Sequence, residues 1–127
     1  MNAMIEFEPI THKVIGMAIE VHRELGPGLL ESAYELCLCH ELTLHEVAFR
    51  RQVPLPIRYK GLELESGYRI DLIVEDSLII EVKAAEKVLP VHKAQLLTYL
   101  KLAQIRTGLL INFHVSSLRD GINRIVL

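Results

Sequence analysis

The first third of the chain has a helical pattern of hydrophobic positions. From Pro9 to Leu25 apolar residues recur every three or four positions, which is the spacing of one face of an α-helix. A second helical pattern runs from about Leu30 to His45. The run Gly26-Pro27-Gly28 separates the two, because glycine can adopt a left-handed capping conformation and proline cannot continue the hydrogen-bond ladder. We expect the buried stripe of the second helix to consist of Ala33, Leu36, Cys37, His40 and Leu44.

After Glu46 the pattern changes to alternation, which predicts β-strands. The alternation first runs from Phe49 to Tyr59, and Pro54 and Pro56 make this an edge strand because proline cannot donate to a ladder. Turn residues divide the rest into a strand from Leu62 to Val74 interrupted at Ser66-Gly67, a strand from Leu78 to Lys83, a helix from Pro90 to Ala103, and strands from Gly108 to His114 and from Ile122 to Leu127.

The order of these elements defines the fold class. Two N-terminal helices, a three-stranded antiparallel meander, a helix and further strands form a mixed α/β (α+β) domain in which helices flank a sheet. The chain of 127 residues has no repeat, linker or low-complexity tract, so we expect residues 1–127 to form a single domain. A chain of this length buries roughly two thirds of its unfolded surface and needs neither a metal nor a disulfide to fold.

Composition excludes several classes of protein. Half of the residues are hydrophobic and 24% are charged, which is typical of a globular rather than a disordered chain. No apolar run approaches the ~18 residues of a membrane span, and Glu6 and Glu8 stand where a signal peptide would need Lys or Arg. We therefore expect a soluble, cytoplasmic protein with no membrane partner. The net charge of −2 argues against a protein that coats nucleic acid non-specifically, but it permits an enzyme with an acidic site and a local basic rim.

Three charged side chains interrupt the apolar strands on either side of the turn Glu75-Asp76-Ser77, namely Asp71, Glu81 and Lys83. Glu81 and Lys83 share a strand face because they are two residues apart. The register of the hairpin decides whether Asp71 joins them. A two-residue turn would pair Asp71 with Ile80 and put the acids on opposite faces. A three-residue connection would pair Asp71 with Glu81, about 5 Å apart at Cβ.

The second register predicts a divalent-metal site. Two carboxylates that face each other in an apolar sheet repel unless a cation or a proton lies between them. Magnesium needs only one or two carboxylates, because waters and substrate phosphate complete its coordination. Lys83 would then orient or activate a water and balance the charge on a phosphate. The alternative is an ordinary ion pair of Lys83 with Glu81 or Asp71 at the end of the sheet.

Asp71, followed across a hairpin by Glu81-Val82-Lys83, resembles the D…(D/E)-x-K core of the PD-(D/E)XK nuclease superfamily. The stretch from Gly28 to Tyr34 resembles the G-x-x-E-x-x-Y signature of a small bacterial and archaeal family, the GxxExxY family, that is assigned to this superfamily. The resemblance covers nearly the whole chain, and Ile70 stands where the superfamily name has proline. It also includes the segments Arg51–Leu55, Gly67–Asp71 and Gln95–Tyr99.

The resemblance implies a restriction-endonuclease-like core and a role for each motif residue. Asp71 and Glu81 would bind Mg²⁺ or Mn²⁺ together with the Val82 carbonyl, and Lys83 would be the catalytic lysine. In many relatives an acidic residue on a helix ahead of the sheet completes the metal site, and Glu31 is the candidate here. Glu31 would otherwise stabilise the helix dipole from the first turn of its helix.

Four further residues are candidates for supporting the site or binding nucleic acid. Gln95 and Tyr99 share a helix face and resemble the Q-x-x-x-Y element of the RecB-like branch, which lies beside the metal site and the nucleic-acid strand. Tyr34 lies one turn after Glu31, close enough to hydrogen-bond into the site. His22 precedes the glycine loop, and an upstream histidine is a metal ligand in some RecB-like relatives. The alternatives are packing for Gln95, Tyr99 and Tyr34, and an interaction with the helix C-terminus for His22.

Two classes of function agree with these observations. The first is a metal-dependent nuclease that hydrolyses phosphodiester bonds of nucleic acid. DNA is the expected substrate, and the resemblance implies 5′-phosphate and 3′-hydroxyl products. The second is a non-catalytic module that keeps the nuclease-like fold and binds nucleic acid or protein. The edge strand from Arg50 to Arg58 would also let the chain pair with a second copy or a partner protein.

Overall fold

The computed structural model describes residues 8–65 and 67–127 of the chain. Two residues used in the sequence predictions lie outside the described residues. They are Glu6, which speaks against a signal peptide, and Ser66, at which the predicted strand is interrupted. None of the described helices has both the length and the apolar character needed to cross a membrane.

The α-helices of the described residues follow the predicted positions closely. Helix α1 spans Pro9–Leu25 and begins with a proline, whose missing N–H costs nothing in the first turn. Helix α2 spans Glu31–Leu44, and helix α3 spans Pro90–Ala103. Gly26 follows α1 with a φ of +73°, a conformation that glycine adopts without steric cost.

In the described residues the chain also forms β1 Phe49–Pro54, β2 Ile57–Tyr59, β3 Leu62–Leu64, β4 Arg69–Val74, β5 Leu78–Lys83, β6 Thr107–Asn112 and β7 Ile122–Val126. Five strands make one sheet in the order β1-β4-β5-β6-β7, and β2 pairs with β3 in a second sheet. The β5–β6 pairing is parallel with α3 as its crossover, and the other pairings in the larger sheet are antiparallel. This arrangement, with β1, β4 and β5 as the antiparallel meander, confirms the predicted fold class.

The single edge strand predicted from Phe49 to Tyr59 is instead divided between the two sheets. Its first part, β1, ends at Pro54 and lies at an edge of the larger sheet, as this proline indicates. The chain then bends at the buried Leu55, whose N–H donates to the Tyr68 carbonyl at 3.0 Å. Alternation could not show this bend, because the apolar residues keep the same parity on both sides of it.

The buried face of α2 differs from the predicted stripe. Leu36 is 52% exposed and Leu44 is 62% exposed. Apolar residues occur on every side of this helix, so periodicity is a weak guide to its orientation. Packing fixes it instead, because the Tyr34 ring stacks on Phe113 with the ring centroids 4.5 Å apart. The buried residues of α2 are Tyr34, Glu35, Leu38, Cys39 and Leu42.

The two faces of the larger sheet pack against different helices. Helices α1 and α2 cover one face, which we call the α1–α2 face; its buried cluster includes Leu38, Leu72, Ile80, Val82 and Phe113. Helix α3 covers the other, the α3 face; its buried cluster includes Ile70, Ile73, Ile79, Leu96 and Leu100. Since side chains alternate along a strand, Glu81 and Lys83 lie on the α3 face with Ile79.

Candidate active site

The β4–β5 hairpin has the register that places the two acids opposite each other. The paired residues are Leu72 with Ile80, Ile73 with Ile79 and Val74 with Leu78. Three residues, 75–77, therefore connect the strands, and one further step of the same register puts Asp71 across from Glu81. Of the two registers that the sequence allows, the structure has the three-residue connection.

Beyond these pairs, the carboxyl oxygens of Asp71 and Glu81 accept hydrogen bonds from backbone N–H groups of the opposite strand. The Asp71 N–H donates to Glu81 Oε2 at 2.8 Å, and the Val82 N–H donates to Asp71 Oδ2 at 2.8 Å. Each acid thus accepts a backbone hydrogen bond from the opposite strand. This exchange explains how two carboxyl groups are held between otherwise apolar strands, because buried polar groups need hydrogen-bond partners.

The regular alternation of β4 breaks at Asp71. Ile70 packs on the α3 face and Leu72 on the α1–α2 face, although residues two apart share a face in a regular strand. Across from Asp71 in β1 lies Gln52, whose φ of +52° is in the left-handed region that residues other than glycine rarely adopt. Irregularities of this kind redirect side chains next to functional sites. Here Asp71 interacts electrostatically with Glu35 of α2 as well as with Glu81 of β5.

Burial and mutual repulsion raise the pKa values of both carboxyl groups. The pKa of the buried Glu81 rises to about 8, first because of desolvation and then because of the charge of Asp71. The pKa of Asp71 is also raised, chiefly by desolvation. A bound cation would stabilise both groups as carboxylates. The pair therefore fits a hard divalent metal ion, which prefers oxygen ligands.

The protein offers few oxygen ligands to such an ion. Among residues 8–65 and 67–127, no group of three or more His, Cys, Asp or Glu side chains is arranged to hold a metal. The Val82 carbonyl is a third candidate. The Lys83 carbonyl accepts the Phe113 N–H, so alternation along β5 directs the Val82 carbonyl away from that side, toward β4 and Asp71. Two carboxylates and a carbonyl suit Mg²⁺ or Mn²⁺, which take waters and phosphate oxygens as further ligands.

Lys83 lies two residues after Glu81 and borders a cavity of about 630 Å³ between β5 and α3. Its ammonium forms an ion pair with neither Asp71 nor Glu81. Its charge is nevertheless close enough to lower the pKa values of both acids in part. The simple ion pair that the sequence left as an alternative is therefore not formed between these described residues.

A model of the PD-(D/E)XK nuclease superfamily matches residues 8–125. The chain belongs to the PD-(D/E)XK nuclease superfamily. Nucleases of this superfamily generally use divalent metal ions, and their restriction-endonuclease-like fold is consistent with the mixed α+β architecture found here. No curated protein and no solved structure matches the chain.

A buried acid outside the predicted set, Glu35, is tied to the acid pair of this PD-(D/E)XK domain. The Gln52 Nε2 donates to both carboxylate oxygens of Glu35 at 3.0 Å and to Asp71 Oδ1 at 3.2 Å. The Arg51 Nε lies 2.6 Å from Glu35 Oε2 and balances its charge. A signal is present in the sequence, because Glu35 lies four residues after Glu31 and shares its helix face. The predicted stripe placed that face away from the sheet.

The segment that follows Lys83 is held by two side chains. Glu31, in the first turn of α2, accepts the Ala84 N–H at 3.2 Å. Asn112 accepts the Ala85 N–H at 3.1 Å and donates to the Ala85 carbonyl at 2.8 Å. Glu31 thus lies in the first turn of α2, where it can stabilise the helix dipole, and it also contacts Ala84, the residue after Lys83. Asn112 carried no signal in the sequence, because the apolar pattern predicts a strand that continues to His114.

The side chains of Tyr34 and His22 form hydrogen bonds to backbone groups of the fold. The Tyr34 ring is fully buried, and its hydroxyl donates to the Gly26 carbonyl and accepts the Leu29 N–H at 3.0 Å. The His22 Nε2 hydrogen-bonds the Val115 carbonyl at 2.8 Å. Tyr34 therefore organises the loop after α1, and His22 fixes the end of α1.

Gln95 and Tyr99 both border the cavity beside Lys83. Tyr99 is buried, and its pKa is raised to about 12 by desolvation and then by the charges of Glu81, Tyr68 and Asp71. Its hydroxyl therefore stays protonated at neutral pH and can donate a hydrogen bond. The structure thus brings Lys83, Gln95 and Tyr99 to one cavity, and Tyr99 also interacts electrostatically with Glu81 and Asp71.

Proposed function

We propose that this PD-(D/E)XK domain is a metal-dependent nuclease that hydrolyses phosphodiester bonds of nucleic acid, with DNA as the expected substrate. The acid pair carries the proposal, because Asp71 and Glu81 lie opposite each other with raised pKa values and Lys83 follows on the face of Glu81. Such a pair costs stability in the metal-free protein. A binding module gains nothing from this cost, whereas a metal-dependent enzyme requires the two carboxylates.

Each residue has one role in the proposed reaction. Asp71, Glu81 and the Val82 carbonyl would hold Mg²⁺ or Mn²⁺, which would supply a Lewis acid and lower the pKa of a bound water. Lys83 stabilises the negative charge that grows on the phosphate oxygens as water attacks. The water oxygen bonds to phosphorus and the bond from phosphorus to the 3′ oxygen breaks. A proton passes to that oxygen, which leaves 5′-phosphate and 3′-hydroxyl ends.

The same observations support membership of the GxxExxY family. Gly28 lies in the loop after α1, and the Tyr34 hydroxyl binds that loop. Glu31 binds Ala84, the residue that follows Lys83. The signature thus connects the start of α2 to the loop before it and to the end of the strand that carries the lysine.

Calorimetric titration of metal-stripped protein with Mn²⁺ and Mg²⁺ tests the metal site. We expect the wild type to bind and an Asp71→Asn/Glu81→Gln double variant to lose the binding heat, because neutral amides attract a hard cation much less than carboxylates do. Asp76→Asn is the matched control, since Asp76 lies in the turn of the same hairpin and pairs with Arg50 at the surface. Binding that survives in the double variant would contradict the assignment.

A cleavage assay with Lys83→Ala tests the enzyme. We expect the rate to fall by at least about 100-fold, because an oriented charge at the reacting phosphate is lost. The circular-dichroism spectrum should be unchanged. Lys101→Ala is the control, since Lys101 is exposed in the last turn of α3. Full activity of Lys83→Ala would remove the proposed role. If the wild type neither binds metal with an oligonucleotide present nor cleaves DNA or RNA, the non-catalytic module is the better description.

A further inference from the structure

The cavity beside Lys83 is larger than a metal site requires. We call it the α3 cavity, and its lining includes Leu55, Tyr68, Lys83, Gln95, Tyr99 and Leu102. Its volume of about 630 Å³ lies within the range of roughly 300–1,000 Å³ that is typical of sites for organic ligands. A hydrated metal ion held by Asp71 and Glu81 would leave most of this space to another group.

The lining of the α3 cavity suits a flat, uncharged aromatic group. Most of its lining residues are apolar, and those in the described part of the chain include no acid. Tyr68, which lines the cavity, is 45% exposed as a residue. It meets Tyr99 edge to face, with ring centroids 6.4 Å apart and an interplanar angle of 64°, so the two rings do not stack on each other. Aromatic faces bind other aromatic rings by stacking, whichever base is present.

Gln95 adds directional recognition to this apolar lining. Its carboxamide has no hydrogen-bond partner among residues 8–65 and 67–127, although the side chain is half-buried at the cavity. A carboxamide presents a donor and an acceptor side by side, which is the pattern found along the edge of a nucleobase. Lys83 supplies a cation at the boundary between the cavity and the acid pair, where a phosphate attached to that base would lie.

We infer that the α3 cavity receives one unpaired nucleobase of the substrate, stacked on Tyr68 and hydrogen-bonded by Gln95. The inference rests on the proposed function and names its substrate class, which is nucleic acid that is single-stranded at this nucleotide. A base within a duplex is stacked and paired, so it enters a cavity only after it has left the helix.

Fluorescence anisotropy with a labelled oligonucleotide, in EDTA so that no cleavage occurs, tests the inference. We expect the wild type to bind the single strand at least about 10-fold more tightly than a blunt duplex of the same sequence. Tyr68→Ala should weaken single-strand binding about 5- to 100-fold and leave duplex binding unchanged, because it removes one stacking face. Tyr68→Phe keeps the ring and should keep the affinity.

The control is Tyr59→Ala, because Tyr59 of β2 is 60% exposed and does not border the α3 cavity. A fluorescent adenine analogue in the oligonucleotide provides a second readout, since its emission should fall on binding to the wild type and not on binding to Tyr68→Ala. If Tyr68→Ala does not fold, Gln95→Ala replaces it and should weaken binding of the single strand alone. Equal affinity for single strand and duplex would overturn the inference, and so would equal effects of Tyr68→Ala and Tyr59→Ala.

Failure of the inference and failure of the proposed function give different results. If the wild type binds single strands through Tyr68 but never cleaves them with Mn²⁺ present, the base site stands and the nuclease proposal falls. If duplex and single strand are cleaved at the same rate and Tyr68→Ala cleaves both normally, the nuclease proposal stands and the base site falls.

Discussion

Two helices cover one face of the central sheet, and a single helix covers the other. In the described residues, α1 and α2 enclose a buried cluster of 18 residues on the α1–α2 face, whereas the buried cluster beneath α3 has 9. The acid Glu81, Lys83 and the α3 cavity all lie on the less covered face. The difference separates a face that is covered by a large buried cluster from a face that carries Glu81, Lys83 and a cavity.

Strand β5 belongs to both faces and shows how they depend on each other. Ile80 and Val82 are buried on the α1–α2 face, and Glu81 and Lys83 alternate with them on the α3 face. Each residue that packs thus fixes a neighbour that carries charge. A carboxyl group with a pKa near 8 disfavours folding at neutral pH, so its strand must be held by packing elsewhere.

The largest expected effect separates the two faces by their stability. Leu38→Ala on the α1–α2 face should cost about 2–5 kcal/mol of unfolding free energy, because Leu38 is fully buried and its truncation leaves a cavity. Leu102→Ala on α3 should cost less than about 1 kcal/mol, because Leu102 is 39% exposed beside a cavity that is already present. Urea unfolding of both variants measures the difference. Equal losses would show that the two faces stabilise the fold alike.

Features that depend on local sequence could be predicted. The bounds of α1 and α3 follow from helical spacing and from Pro9 and Pro90, which are favoured in a first helical turn. The acids and the lysine also stood out, because charged residues are rare within apolar strands. Whether these residues form one site depends on the register of the hairpin. The sequence allowed a two-residue and a three-residue turn, so it did not decide between the two registers.

Features that depend on contacts between distant segments could not be predicted. The face of α2 is set by the packing of Tyr34 on Phe113, and these residues are far apart in the chain. That face brings Glu35 to Gln52. The sequence gives no sign of the left-handed backbone at Gln52, because glutamine rarely adopts that conformation. The sequence pattern therefore singles out Asp71, Glu81 and Lys83, but it does not single out Glu35 and Gln52 beside them.

The second-largest expected effect is the pH dependence of stability that Glu81 on the α3 face causes. Below about pH 4.5, the ordinary pKa of Glu, the side chain of Glu81 is protonated in the folded and unfolded chains alike. From pH 4.5 to about 8 the unfolded chain releases this proton while the folded chain keeps it. The stability of the metal-free wild type should therefore fall across this interval and then level off. Glu81→Gln removes the titration, so it should be more stable than the wild type by about 1–3 kcal/mol above about pH 8 and no more stable below pH 4.5.

Thermal unfolding in EDTA across this pH range measures the effect of Glu81→Gln. Glu75→Gln is the control, because Glu75 is exposed in the turn of the same hairpin. Addition of Mg²⁺ above about pH 8 should stabilise the wild type and not Glu81→Gln, since only the wild type has the carboxylate to bind it. A Glu81→Gln variant less stable than the wild type at alkaline pH would show that the carboxyl group stabilises the fold after all.

The smallest expected effect asks whether the two faces are independent. Gln52 links them, because its amide donates to Glu35 on α2 and to Asp71 of the acid pair. Gln52→Gly keeps the left-handed backbone and removes the amide, so Mn²⁺ affinity should fall about 10-fold, or about 1.4 kcal/mol, as Asp71 loses its support. Gln104→Gly is the matched control, since Gln104 is an exposed glutamine with a φ of +58° at the end of α3. Equal Mn²⁺ affinities of the two variants in a calorimetric titration would mean that the α1–α2 face holds β5 in place but does not tune the acids on it.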